Sequence, residues 1–153
     1  MMYYTHFVFG ILVSLMSLNF FSISNSLLFV LIILLFSVFP DIDLVESKIG
    51  KKNKPISKAI NFIFGHRGLM HSIYIPLILF FIFYNTNNKV GIAILLGYFS
   101  HLFMDALTKE GIRPLRPIIN KRINWFFKTN SISEKILFLA ITFIDLYLIL
   151  KYI

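Results

Sequence analysis

Apolar residues fill this chain in long stretches, interrupted by brief polar breaks. Five stretches approach the roughly 20 apolar residues (range about 17–25) that a bilayer-spanning helix needs. They cover residues 3–21, 24–39, 69–84, 90–107 and 133–151. Short polar turns, "NFFSISNS" and "NTNNK", join the first to the second and the third to the fourth. The pattern predicts an all-α, polytopic integral membrane protein. It is a single domain over 1–153, with about five transmembrane helices plus interfacial amphipathic helices. The second and third stretches are short, so they are expected to tilt little or to run past these limits.

Two longer segments complete the pattern. In "PISKAINFIFG", Ile56, Ala59, Ile60, Ile63 and Phe64 recur at helical spacing. Lysines oppose that stripe, so this helix should lie in the interface plane. "RPLRPIINKRINWFF" mixes Arg and Lys with Trp125, Phe126 and Phe127, and Trp125 should reach head-group depth.

Composition supports the membrane reading. Charged residues make up 14% of the chain and hydrophobic ones 58%, whereas soluble domains carry about 25% charged residues. With no cysteine, disulfides and thiolate metal sites are excluded. No basic residue precedes the first stretch and no small-x-small site follows it, so it reads as a retained helix and not a signal peptide.

The net charge of +8 raises nucleic acid as a partner, but its distribution points to lipid. Thirteen of the fifteen Lys and Arg residues fall in segments 44–68 and 108–135, leaving only Lys89 and Lys151 elsewhere. Five spans put both segments on one face, which the positive-inside rule makes cytoplasmic. The N-terminus is then inside and the C-terminus outside. Membrane lipid and anionic head groups are the expected partners, and nucleic acid is not.

The ionisable residues converge on that same face. His6 starts the first stretch, and Asp41 and Asp43 end the second. His66 and His71 bracket the start of the third, and His101 and Asp105 end the fourth. Singly, each has a plain reading: a snorkelling histidine, a polar helix exit in "FPDID", a head-group contact at His66 and Arg67, a buried His101–Asp105 pair. Together, seven candidate ligands from four helices at one depth favour a metal site. Histidine and carboxylate are the donors that zinc and manganese take. His101 and Asp105, four apart, share one helix face. Asp41 and Asp43 would point apart after Pro40, so one binds metal while the other supports a ligand or holds a second ion. Gly68 lets the chain turn into a helix start that suits an anion. Glu46 and Glu110 read as loop charges, and Tyr98 and Ser100 as helix contacts or supports beside His101. Asp145 lies about 18 Å along its helix from Ser133, too far for the cluster, and should hydrogen-bond to a neighbouring helix.

"TH" at 5–6, "FPDID" at 39–43, "HRGLMHS" at 66–72 and "GYFSHLFMDALTKEGIRPLRP" at 97–117 resemble the membrane-bound, inner-membrane metal-dependent hydrolases, also described as LexA-binding, inner-membrane-associated hydrolases. The resemblance covers about residues 3–120. It implies functional roles for His6, Asp41, Asp43, His66, Arg67, His71, Ser72, His101, Asp105, Thr108 and Gly111. More loosely, the pattern is similar to zinc-dependent phospholipase C and P1-type nucleases, which implies a phosphoester substrate by analogy.

The expected function is hydrolysis of a phosphoester of a lipid or other amphiphile by a metal-activated water. One to three divalent ions, zinc or alternatively manganese, would be held by His6, Asp41, Asp43, His66, His71, His101 and Asp105. Asp41 or Asp43 would serve as general base. Arg67, Lys109 and Arg113 would steady the phosphoryl charge. No H-E-x-x-H motif supports a peptidase. The competing classes are a non-catalytic membrane protein with a structural or sensory metal, and a small ion transporter.

Overall fold

The structure is a computed structural model that describes residues 1–20, 26–44, 47–64 and 68–152, without the side chains of residues 19, 48, 49, 60, 63, 64 and 152. Seven α-helices are described: α1 (Tyr3–Phe20), α2 (Ser26–Val38), α3 (Lys48–Lys52), α4 (Lys54–Phe64), α5 (Tyr74–Tyr84), α6 (Asn88–Ala106) and α7 (Ile132–Tyr152). Short 3-10 turns cover Phe39–Asp43 and Leu69–His71. The all-α expectation holds. Two isolated β-bridges, Thr108 with Phe127 and Ile112 with Ile123, are the extended pairing among the described residues.

Two segments are long and apolar enough to cross a bilayer: Ser26–Asp43, which is α2 with its following turn, and α6. The apolar run Tyr3–Leu18 and α5 are shorter. The third predicted stretch, 69–84, becomes a helix only from Tyr74. Residues 69–71 instead form a 3-10 turn that Ser72 closes, its Oγ donating to Leu69 O at 2.7 Å. At 1.5 Å per residue, the 11 residues of α5 cover roughly half of a hydrocarbon core about 30 Å thick.

Helix α6 is the centre of the bundle and packs on α1, α2 and α5. Gly97 makes the α2 contact possible, since a Cβ there would stand 2.5 Å from Ile33 O. Small residues permit this close backbone approach between membrane helices. Phe29, Ile33 and Ala93 fill the same seam. Helix α7 packs on α1, where Ile141 meets Met1 and Met104. The bundle exterior is apolar: Leu27, Leu31 and Leu35 line one exposed stripe of α2, and Phe143, Tyr147 and Leu150 are exposed on α7. Such a surface suits lipid contact and would be costly in water.

The basic segments differ from one another. Helix α4 turns its polar side inward: Ser57 is buried, and Asn61 Nδ2 donates to Asp43 O at 2.8 Å. Its Ile56 and Phe62 face outward, Phe62 at 92% exposure. The stretch containing Trp125 forms no helix. Pro114 and Pro117 supply no backbone N–H there. The loop instead folds back on itself, with Ile112 N donating to Ile123 O at 2.9 Å and Ile123 N to Ile112 O at 2.8 Å.

Candidate metal centre

The start of α1, the turn after α2, the turn before α5 and the end of α6 bring the candidate ligands together. Pro40 ends α2 and throws the chain into the 3-10 turn that carries Asp41 and Asp43. In such a turn residue 40 would donate to Ser37 O, but proline has no N–H. His101 Nδ1 takes that carbonyl instead, at 2.9 Å. A carbonyl only accepts, so Nδ1 carries the proton and Nε2 presents its lone pair. Tyr98, one turn earlier on α6, donates its hydroxyl to Met70 O at 2.7 Å and so fixes the turn that holds His71. From the other end of that turn, Ile73 N donates to Pro114 O at 2.9 Å.

The side chains converge. His101 Nε2 lies 3.2 Å from His71 Nε2. His71 Nε2 lies 3.5 Å from Asp105 Oδ2, and His71 Nδ1 lies 3.2 Å from Asp43 Oδ2. His6 Nε2 stands 3.3 Å from Asp105 Oδ1, and its ring stacks on that of His101 at 4.0 Å. His101 Nε2 is 3.8 Å from Asp41 Oδ1 and 3.9 Å from Asp105 Oδ2. His6, Asp43, His71, His101 and Asp105 are all buried.

Two triads have ligand geometry: His6, Asp41 and His101, and His71, His101 and Asp105. Nitrogens held about 2.1 Å from one tetrahedral ion lie roughly 3.4 Å apart, close to the His71–His101 separation. Both ring nitrogens of His6 are buried, and among the described residues neither makes a hydrogen bond, although Nε2 stands in ion-pair range of Asp105. Buried polar atoms left this way normally mark an ion or water position. Met1 N donates to Asp105 Oδ1 at 2.5 Å. His71 responds to the same negative field from the turn ahead of α5. Burial pushes its imidazole down, but hydrogen bonds and charge from Asp105 and Asp43 outweigh this and raise it to about 9. The donor set, the spacing and the surplus of carboxylate all fit a divalent cation.

Asp43 belongs to neither triad. It faces the Nδ1 side of His71, as a carboxylate does when it orients a metal-binding imidazole from behind. His66 and Arg67 lie outside the described residues, as does Glu46. Lys109 is exposed, whereas Arg113 lines a cleft of about 430 Å³ together with Asp41, Glu110, Gly111, Arg122 and Thr129. Asp41 therefore joins the buried cluster to an opening.

The chain leaves the site through Thr108 and Gly111. Thr108 Oγ1 donates to Asp105 O at 2.7 Å and accepts from Gly111 N at 3.0 Å. Gly111 has φ +60°, and a Cβ there would meet Ile123 O at 2.2 Å, so this turn requires glycine.

Glu134 was not singled out from the sequence. It is fully buried at the start of α7. Its carboxylate accepts from Met2 N at 2.6 Å, Thr5 Oγ1 at 3.1 Å and Asn130 N at 2.6 Å. It thereby fastens α7 to the residue beside His6. The S-x-x-E spacing of Ser131 and Glu134 is the capping-box signal that could have found it. Asp145 is buried on α7, as its position suggested, but neither carboxylate oxygen makes the expected hydrogen bond among the described residues.

Comparison with known proteins shows the family of the chain. The chain is 37% identical over 114 residues to YvsG of Bacillus subtilis (strain 168), covering 72% of this chain and 71% of the relative. It is 37% identical over 87 residues to the inner membrane protein YdjM of Escherichia coli (strain K12), covering 52% of this chain and 44% of that relative. No solved structure matches it. The family model for the YdjM inner membrane protein matches residues 1–152. The chain therefore belongs to the YdjM inner membrane protein family.

Proposed function

We propose that this protein is a membrane-embedded, metal-dependent hydrolase acting on a phosphoester of a lipid or other amphiphile at the cytoplasmic membrane face. The observation that carries this reading is the meeting of the His71 and His101 Nε2 atoms at 3.2 Å, in a buried cluster that Asp41 connects to a cleft. His6, Asp41, His71, His101 and Asp105 would hold the ion, zinc by preference and manganese as the alternative. His101 Nε2 has one lone pair and serves one ion. Asp105 turns Oδ1 towards His6 and Oδ2 towards His71, so both of its oxygens would be available to the ion. When bound, the divalent ion supplies Lewis-acid polarisation and lowers the pKa of water.

The protein's own groups do the rest. Asp43 holds the His71 ring in register. Asp41, at the cleft, is placed to accept a proton from an entering nucleophile. Arg113 offers a fixed positive charge to a phosphoryl group, a role also proposed for Arg67 and Lys109. The apolar exterior and the outward Phe62 and Trp125 suit a site at head-group level, with the basic segments cytoplasmic.

Metal analysis of the purified protein, paired with hydrolysis of lipid phosphoesters, tests this reading. Bound metal with turnover that disappears in His101→Ala supports it. Bound metal with no turnover on any phosphoester favours a structural or sensory ion. That second reading has its own observation, because the three described histidines are each shut away from solvent.

A further inference from the structure

The cleft beside Asp41 has a second chemical feature. One wall comes from the loop between α6 and α7, which the two bridges fold back so that Arg113 and Arg122 line the same space. Arg122 is far from the helical site in sequence and carries none of the motif. Its place is fixed by Glu110, whose backbone carbonyl accepts from Arg122 Nε at 2.6 Å and also from Nη2. A guanidinium carries five N–H donors in a rigid fork, so this contact leaves donors over for a ligand. Glu110 is the opposing charge in the cleft, and its Oε2 accepts from Thr129 Oγ1 at 3.0 Å. Among the described lining residues, with Asp41 committed to a divalent ion, two guanidiniums stand against one carboxylate.

We propose that Arg113 and Arg122 form an anion subsite that seats the phosphate of the ligand next to Asp41. This rests on the phosphoester reading and deepens it. Paired arginines recognise phosphate through charge-assisted, two-point hydrogen bonds that lysine does not reproduce. Arg122 is then a specificity-determining residue, and the phosphate approaches from the Gly111 side of the cluster. Gly111 lets the backbone pass close to Ile123 there.

Binding tests this without turnover. Trp125 is the one tryptophan of the chain and lies three residues from Arg122, so its emission reports on the loop. The full-length, metal-loaded protein is titrated with inorganic phosphate, and separately with phosphatidylcholine vesicles with and without phosphatidic acid. Saturable response to inorganic phosphate marks a free-phosphate site. Response only to phosphatidic acid marks a lipid head group. Either supports the subsite when Arg122→Gln and Arg113→Gln each weaken it by about ten-fold, Arg122→Lys recovers part of the loss, and Lys121→Gln leaves it unchanged. Arg113→Gln leaves the Glu110 contact intact, so loop collapse cannot explain its effect. Unaltered Trp125 emission in the ligand-free variants provides the same control. No response of the wild type in either arm, or binding by both glutamine variants as tight as that of the wild type, overturns the proposal. If phosphate binds through these arginines and no phosphoester is turned over, the subsite stands and the hydrolase reading fails. If turnover is found and neither glutamine variant alters it or binding, the subsite fails and the hydrolase reading stands.

Discussion

His71 and His101, 30 residues apart, aim their Nε2 atoms at each other across 3.2 Å. Two imidazole lone pairs at that distance repel unless a cation or a proton lies between them. His101 Nδ1 is committed to Ser37 O, so its Nε2 has no freedom to turn away. His101 is shared by both candidate triads. His101→Ala should therefore remove bound metal completely, and Asp105→Ala should lower it by breaking the triad that includes His71. Mass-spectrometric metal content of the purified variants checks this. Metal retained at the wild-type level in either variant would exclude the assigned centre.

Asp43 stands behind His71 and outside both triads. Asp43→Asn keeps the shape of the side chain and weakens the hold on Nδ1. Metal affinity is expected to fall by about 10–100-fold, with the ion still bound at high metal concentration. Competition against a chelator of known affinity measures the shift. A loss as complete as that in His101→Ala would make Asp43 a direct ligand.

These two roles show how far the sequence reached. His6, Asp41, Asp43, His71, His101 and Asp105 were legible because each lies at the same end of an apolar stretch, where a charge has no reason to be unless it is used. Hydropathy could not separate Asp41 from Asp43, because the separation depends on how a 3-10 turn aims two side chains. Nor could it see that α5 starts at Tyr74, since the hydroxyl of Ser72 holds residues 69–72 in a turn that a window average reads as helix. Arg122 was hidden for a different reason: it reaches the cleft only through pairing of the loop across Ile112 and Ile123. Glu134 did leave a local signal in "SISE", but its partners Met2 and Thr5 lie at the other end of the chain.

Gly111 sits at φ +60° with Ile123 O directly over it. Gly111→Ala adds a methyl group where no space exists and where L residues resist the backbone angle. A destabilisation of at least about 1 kcal/mol is expected, concentrated in the loop between α6 and α7. Thermal unfolding in detergent should show a lower midpoint, and Trp125 emission should shift at temperatures where the helical signal is unchanged. An unaltered midpoint and emission would mean that the loop is not held as described.

Glu134 ties the start of α7 to the start of α1 through Met2 N and Thr5 Oγ1, also accepts from Asn130 N, and is fully buried. Removing the carboxylate leaves Met2 N, Asn130 N and the Thr5 hydroxyl short of an acceptor. A buried group left unsatisfied costs about 1–3 kcal/mol. Glu134→Ala should therefore lower the unfolding midpoint substantially, whereas Glu134→Gln, which keeps an acceptor oxygen, should cost less. Thr5 adjoins His6, so the looser joint should also weaken metal affinity without touching a ligand. Midpoints measured with and without saturating zinc separate the two effects, because a bound ion stabilises only the folded protein. If Glu134→Ala lowers the midpoint while the zinc-dependent increment is unchanged, Glu134 serves the helix joint alone. If the increment shrinks as well, it also positions His6.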